Sequence, residues 1–505
     1  MNIYEVAVFV IYIVVMMGFG VYFFRKSKGG EKEYYLGSRE LGPWVTALSA
    51  GTSDMSAWVL MGLPGAVYWF GLSHAWIAIG LALGYILSWV FVAPRLRQFS
   101  IVADDAITLP QFFTNRFKTK SKLLQCICAG VFVVAFAAYT IAHIVVCGVL
   151  LNLVFGMDET TGMILGAVLI IAYTFLGGYK GVSWSDFFQG LLMLIALMAA
   201  PVFALMAIHP AAFAAAVLPE YYWSFLFTGF FDWESWANIF TGLGWGLGYF
   251  GMPHIIVRYM SIRKQEEVKK AAGVAITWNL LILSASVVAG ILGRIYFGDS
   301  LGPPGYYGTP GGVAGISGGE IVFIELARTI FPTIIAGVLL SAILASAMSS
   351  TDSKLLVSSS AFTADVYKPI FRKNASEKEM IWVGRSVVVA VAVVATIIAT
   401  SPGRVTIMEL VGNAWGILGA AFGPAILLSL YWKRFNLAGA TAGIVSGAIV
   451  AVIWLAVPAL LGTGLFGIVP AFAIGLFSSV IVTVATKKPS IEVEEMFDRA
   501  LALKD

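Results

Sequence analysis

Gly51-Thr52-Ser53-Asp54-Met55-Ser56-Ala57 interrupts an apolar run that extends over residues 41–68. A helix lying against lipid has no use for a glycine, two serines and an aspartate packed this closely. An acid near mid-membrane costs about 2.5–3.5 kcal/mol on insertion scales. A helix broken at this point releases backbone carbonyls and amides, and these must line a cavity or bind something. The stretch therefore reads as half of a solute and ion site.

The surrounding composition agrees with a membrane setting. The chain has 505 residues, is 59% hydrophobic and 12% charged, and has a mean hydropathy of +0.88. Soluble domains carry about twice that share of charge. Apolar stretches of roughly twenty residues predict helical spans, and strand-type alternation is absent, so the expected class is an all-α polytopic bundle. Thirteen spans are predicted, near 4–24, 42–70, 74–94, 123–155, 160–178, 184–208, 236–257, 272–297, 322–362, 380–400, 405–432, 437–460 and 464–486. The first reads as a retained helix, because no basic segment precedes it and no small-residue cleavage site follows. Cys126, Cys128 and Cys147 lie in or beside one apolar segment and suggest neither a disulfide framework nor a zinc site.

Charge tests the count. Arg25, Lys26, Lys32 and Arg39 follow span 1; Arg95, Arg97 and Arg116 follow span 3; Lys180 follows span 5; Arg258 and Arg263 follow span 7; Lys368 and Arg372 follow span 9; Lys433 follows span 11 and Lys487 span 13. The other connections are nearly free of basic residues, with Arg404 the exception. The positive-inside rule then places the N-terminus outside and the C-terminus in the cytoplasm of a cell-membrane protein. The connection at 298–319, rich in glycine and proline, reads as an outer loop or lid, and the tail after Lys488 as a short amphipathic helix.

A second interruption lies at 242–253, where five glycines and Pro253 fall within one span, five spans after the first. Breaks at matching places are the sequence pointer to an inverted repeat. The expected organisation is an extra helix and basic loop over 1–40, a first repeat over 41–208, an outer loop over 209–235, a second repeat over 236–432, two further helices over 433–486 and a cytoplasmic tail over 487–505.

Each candidate site residue has a plainer reading beside it. Asp54 is either a site residue or an acid satisfied by neighbouring hydroxyls. Thr52 and Met55 matter through released carbonyls, and Ser56, Ala57 and Trp58 open the following half-helix, whose amides and dipole suit a substrate carboxylate. Ser346, Ser349, Ser350, Asp352 and Ser353 on span 9 either allow close helix packing or form an oxygen cluster. The hydroxyls of Ser349 and Ser350 with the carbonyls of Ser346, Thr52 and Met55 would give about five neutral ligands, a set suited to sodium rather than to a divalent ion. Asp186 is either a helix N-cap or part of a second cation site or ion-exit relay. Asp352 either strengthens that second site or neutralises Lys354. Tyr139, Trp245 and Tyr249 are candidate pocket walls. Glu325 with Arg328, and Arg404 with Glu409, read as local ion pairs.

Three strings carry a resemblance: LGPWVTALSAGTSDMSAWVLMGLPG at 41–65, GWGLGYFGMPH at 244–254 and LSAILASAMSS at 340–350. Together they resemble the sodium:solute symporter family, specifically its sodium/proline symporters, from about residue 35 to 432. The resemblance implies the LeuT-type fold with alternating access, and sodium held by the carbonyls of Thr52, Met55 and Ser346 and the hydroxyls of Ser349 and Ser350. It also implies roles for Arg39, Asp54 and Ser56 in sodium and proline handling. Tyr139, Trp245, Tyr249 and Pro253 fall where family members contact proline, and Asp186 matches an aspartate tied to ion binding or release. Thr52 and Ser346 stand where alanine is usual, Ser350 where threonine is common, and Met252 where glutamine is usual.

The expected function is sodium-coupled uptake of L-proline across a lipid bilayer, by a chain working as a monomer and without a nucleic-acid partner. The alternatives are uptake of another small amino acid or carboxylate, and proton coupling through Asp54 and Asp186. A membrane enzyme would need a nucleophile–base pair or a metal set at depth, and the four scattered histidines offer neither.

Overall fold

The computed structural model of the chain describes residues 3–26, 30–302, 318–401 and 407–503. Most of the 298–319 connection lies outside these residues, as does Arg404. Among the described residues, ten helical stretches are long and apolar enough to cross a membrane. The remaining predicted crossings are those where the helix is short or broken.

The helices that position the site are α1 (Ile3–Lys26), α2 (Pro43–Met55), α3 (Gly62–Phe70), α4 (Ala75–Leu87), α5 (Ala93–Val102), α6 (Leu123–Phe155), α7 (Glu159–Ala207), α8 (Trp233–Trp245), α9 (Pro253–Ser261), α10 (Glu267–Phe297), α11 (Val322–Ile330), α12 (Thr333–Phe362), α13 (Glu377–Ala399), α14 (Ile407–Tyr431), α15 (Leu437–Ala456), α16 (Ile468–Ala485) and α17 (Ile491–Ala502). At the centre lies α12, buried almost throughout from Ala336 to Ala361 and packed against α1, α2, α6 and α7. By contrast α1 shows Val10, Ile11, Val14 and Val15 on its outer face, as a lipid-facing helix does. The α17 tail helix folds back on the end that carries the basic connections: Phe497 packs on Phe99, and Lys433 pairs with Asp498 at 2.6 Å.

Several boundaries differ from the sequence expectation. The predicted span 322–362 divides at Phe331-Pro332, because the residue before a proline is driven out of helical geometry; Phe331 takes ψ 147°. The rest continues as one helix through a π-turn to Phe371. Spans 160–178 and 184–208 join in α7 and are separated only by a kink at Gly178, whose φ of +56° is open to glycine. Asp186 therefore sits two turns inside a helix and caps nothing. Arg97, Arg116 and Arg258, counted above as connection residues, are buried. Arg328 pairs with Glu5 on α1 at 3.1 Å and donates to Leu153 O at 2.7 Å, in place of the expected pair with Glu325.

The two interruptions are real breaks of different construction. Between α2 and α3, Ser56 takes φ +50°, its hydroxyl caps Trp58 N at 3.2 Å, and a 3-10 turn over Ala57–Val59 precedes α3. Between α8 and α9 a 3-10 turn spans Gly246–Phe250, and Pro253 occupies the first turn of α9, where its missing N–H costs nothing. The glycines of this second stretch serve contact as much as breakage. A Cβ on Gly246 would lie 2.2 Å from Gly80 O, and one on Gly248 would lie 2.1 Å from the Trp415 ring.

Candidate functional site

The break after α2 sets up the site by leaving carbonyls without partners. In an unbroken helix the N–H groups of Ser56 and Ala57 would bond the carbonyls of Thr52 and Ser53. The turn at Ser56 removes those donors, and α12 supplies others. Ser349 Oγ donates to Thr52 O at 3.4 Å and Ser346 O at 3.2 Å; Ser350 Oγ donates to Thr52 O at 3.4 Å and Ser53 O at 3.0 Å. Thr52, Ser53, Ser346, Ser349 and Ser350 are fully buried. Four of the five expected sodium ligands thus meet in one cluster. The Ser350 hydroxyl also turns to Ser53 O, which the sequence did not single out, and the described hydrogen bonds do not join the Met55 carbonyl to the two serines.

Asp54 faces the other way. It accepts a hydrogen bond of 2.5 Å from Tyr249 Oη, on the second break, so one contact ties the two interrupted helices together. Around it Asp54, Met55, Ser56, Trp58, Tyr139, Trp245 and Tyr249 line a cavity of about 20 Å³, with Leu81, Val411 and Trp415 completing the wall. That volume holds about one water molecule. The wall is closed by its own rings: Trp58 stacks on Trp245 at 5.3 Å, Phe466 stacks on Trp245 at 5.0 Å, and Trp415 meets Tyr249 edge-on at 5.1 Å. With the rings in this position the cavity has no room for a solute. Ala57 and Pro253 lie beside the breaks, outside the cavity wall. Trp415 was missed; its signal was a lone tryptophan in mid-span, and its Nε1 donates to Trp245 O at 2.8 Å.

Behind the serine cluster lies a second, charged one. Asp186 accepts from Ser49 Oγ at 2.7 Å and pairs with Arg258 at 3.2 Å. The same guanidinium donates to Ser353 Oγ at 2.5 Å, and Ser353 in turn donates to Asp352 Oδ1 at 3.1 Å. The sequence placed Asp186, Asp352 and Ser353 together, and the structure inserts Arg258 among them. One oxygen of each aspartate, Asp186 Oδ1 and Asp352 Oδ2, has no hydrogen-bond partner among the described residues. Lys354 turns away from Asp352: its Nζ donates to Ser53 O at 3.1 Å and lies 4.4 Å from the centre of the Tyr139 ring.

Arg39 belongs to neither cluster. At the end of the molecule that carries the basic connections, it donates to Asp105 at 2.8 Å, Ser100 Oγ at 3.0 Å, Ala106 O at 2.8 Å and Met260 O. Nearby, Leu41 and Ile262 form a β-bridge, and Arg97 donates to Ile262 O and Arg263 O at 2.8 Å each. These contacts clamp the start of α2 to the end of α9.

Two broken helices, an oxygen cluster at one break and an aromatic pocket across the other define a membrane carrier that moves a small solute together with a cation. The chain matches the Sodium:solute symporter family over residues 34–447, and it belongs to that family. It is 42% identical over 495 residues to a sodium/proline symporter of Staphylococcus aureus (strain JH9), covering 96% of this chain and 93% of the relative. It is 40% identical over 487 residues to the osmoregulated proline transporter OpuE of Bacillus subtilis (strain 168), covering 95% and 94%. Among solved structures, a Na+-coupled sialic acid symporter in a substrate-bound outward-open state superposes with a TM-score of 0.76 at 20% identity, covering 97% of this chain and 99% of that one. Mhp1, a nucleobase-cation-symport-1 family transporter, gives 0.51 at 13% identity, covering 92% and 98%. The chain is thus a sodium-coupled solute symporter of LeuT-type fold, a multi-pass membrane protein and not an enzyme.

Proposed function

We propose that this symporter carries L-proline into the cell with sodium. The observation that carries the reading is the adjacency of the two sites on one broken helix: Thr52 and Ser53 face the serine hydroxyls of α12, while Asp54, Met55, Ser56 and Trp58 line the pocket. Support for proline comes from relatives named as proline transporters at 40% and 42% identity over nearly the whole chain. An imino acid fits a pocket with several aromatic faces and a few polar groups, because its ring packs on the tryptophans and its carboxylate reaches the amides that follow Ser56.

Sodium binds the serine cluster first and fixes the α2 break against α12. Proline then settles across the break, the aromatic wall closes over it, and release follows when the Arg39 clamp opens. The two groups of five spans around the breaks, 41–208 and 236–432, act as inverted repeats that rock against each other. The clamped, basic end faces the cytoplasm and the N-terminus lies outside. One charge crossing 100 mV supplies about 2.3 kcal/mol before any concentration term.

The test is uptake of labelled proline by proteoliposomes under an inward sodium gradient or an inward potassium gradient, with related amino acids as competitors. Sodium-driven accumulation, displaced by excess proline, is the expected result. Uptake that follows a proton gradient and ignores sodium contradicts the ion assignment; displacement by another solute in preference to proline contradicts the substrate.

A further inference from the structure

Lys354 is a fully buried cation on α12 that, among the described residues, is in ion-pair contact with no carboxylate. Its Nζ bonds Ser53 O at 3.1 Å, the same carbonyl that accepts Ser350 Oγ at 3.0 Å, and rests over the Tyr139 ring. Asp352, its neighbour in sequence, is engaged by Ser353. Asp186 is paired with Arg258. Asp54, whose charge also reaches Lys354, accepts from Tyr249. An ionisable side chain buried at this depth is costly and marks function by default.

We infer that Lys354 is a tethered cation that competes with sodium for the Ser53 carbonyl and so sets the sodium affinity of the site. The inference rests on the proposed sodium cluster and goes beyond it. A sodium ion seated among Thr52 O, Ser53 O and the two serine hydroxyls shares an oxygen with an ammonium group. Like charges that close repel strongly in a buried site. Binding therefore requires the ammonium to leave Ser53 O, and the flexible four-carbon stem of lysine, with its ammonium already over the Tyr139 ring, gives it a route. The work of displacing Lys354 weakens sodium binding and makes release to a sodium-poor side easier. Lys354 is a positioning residue: it touches the carbonyl, not the solute.

The experiment measures the sodium concentration for half-maximal proline uptake, at saturating proline, in wild type, Lys354→Gln and Lys354→Met. Both neutral variants are expected to need about tenfold less sodium than wild type, with proline half-saturation in excess sodium unchanged. A gain of affinity is a result that structural damage does not produce. An unchanged or raised sodium requirement in both variants, with uptake still driven by sodium, overturns the inference and leaves the proposed function standing. Absence of sodium stimulation in the wild type overturns the proposed function itself. A second measurement needs no variant: in a cryo-EM structure of the wild-type protein with sodium and proline, Lys354 Nζ is expected beyond hydrogen-bond reach of Ser53 O. Nζ still bonded to that carbonyl beside a bound ion overturns the inference.

Discussion

Two buried polar clusters flank the middle of α12, and they are built on opposite principles. Thr52, Ser53, Ser346, Ser349 and Ser350 contribute only neutral oxygens, at hydrogen-bond distances of 3.0–3.4 Å, several of them long. Asp186, Asp352, Arg258, Ser49 and Ser353 form an ionic network with contacts of 2.5–3.2 Å. The first has spare capacity: a serine hydroxyl that donates to a carbonyl can turn and offer its lone pairs to a cation. The second holds its cation, the Arg258 guanidinium, against a carboxylate, whereas the only cation on the first among the described residues is the Lys354 ammonium, bonded to the Ser53 carbonyl alone of its oxygens. Removing one member of a buried ion pair leaves the other uncompensated, whereas removing one hydroxyl from a loose neutral cluster leaves a smaller deficit. The difference teaches that the neutral cluster is suited to exchanging an ion and the charged one to holding α2, α7, α9 and α12 in register.

That contrast breaks most visibly at Asp186. Asp186→Ala strands Arg258 and is expected to cost about 3–5 kcal/mol, read as a large drop in the thermal unfolding temperature of the purified protein; wild-type stability would mean that the charged cluster is not structural. Asp54→Asn keeps an acceptor for Tyr249, so the fold survives, but the charge between ion and solute is lost. Sodium-driven uptake should fall at least about tenfold, and wild-type kinetics would remove Asp54 from the mechanism. Ser349→Ala should raise the sodium concentration for half-maximal uptake about five- to tenfold, in line with the loss of one ligand worth about 1 kcal/mol, and alter proline recognition less when sodium is saturating. The smallest effect is expected at Trp245→Ala. It removes one face of an aromatic wall worth about 0.5–1.5 kcal/mol beyond area burial and should weaken proline half-saturation severalfold, with the sodium requirement little changed.

Much of this arrangement was legible in the chain because membranes make polar residues conspicuous. Asp54 and its small neighbours, the glycines before Pro253, and the run of serines on α12 all stand out against apolar surroundings, and they are what the structure brings together. Arg258 was hidden for a physical reason. A basic residue near the end of a span obeys the charge rule for connections, and nothing local tells that its guanidinium turns back to an aspartate 72 residues away. For Asp352 the sequence left two readings open, a part in a second cation site or neutralisation of Lys354; two positions apart on a helix, the two side chains project in different directions, toward different clusters. Trp415 was missed because a lone aromatic in a span usually faces lipid or core. The division of 322–362 followed from Pro332, whose effect on the preceding residue was readable but was outweighed by the length of the apolar run.

The central claim is that the neutral cluster, not the charged one, carries the driving ion. It is tested most directly by the sodium dependence of proline uptake in the double variant Ser349→Ala/Ser350→Ala, reconstituted and measured at saturating proline. The half-maximal sodium concentration is expected to rise more than about tenfold, with the unfolding temperature of the purified protein close to that of wild type. A double variant with the wild-type sodium requirement would contradict the claim.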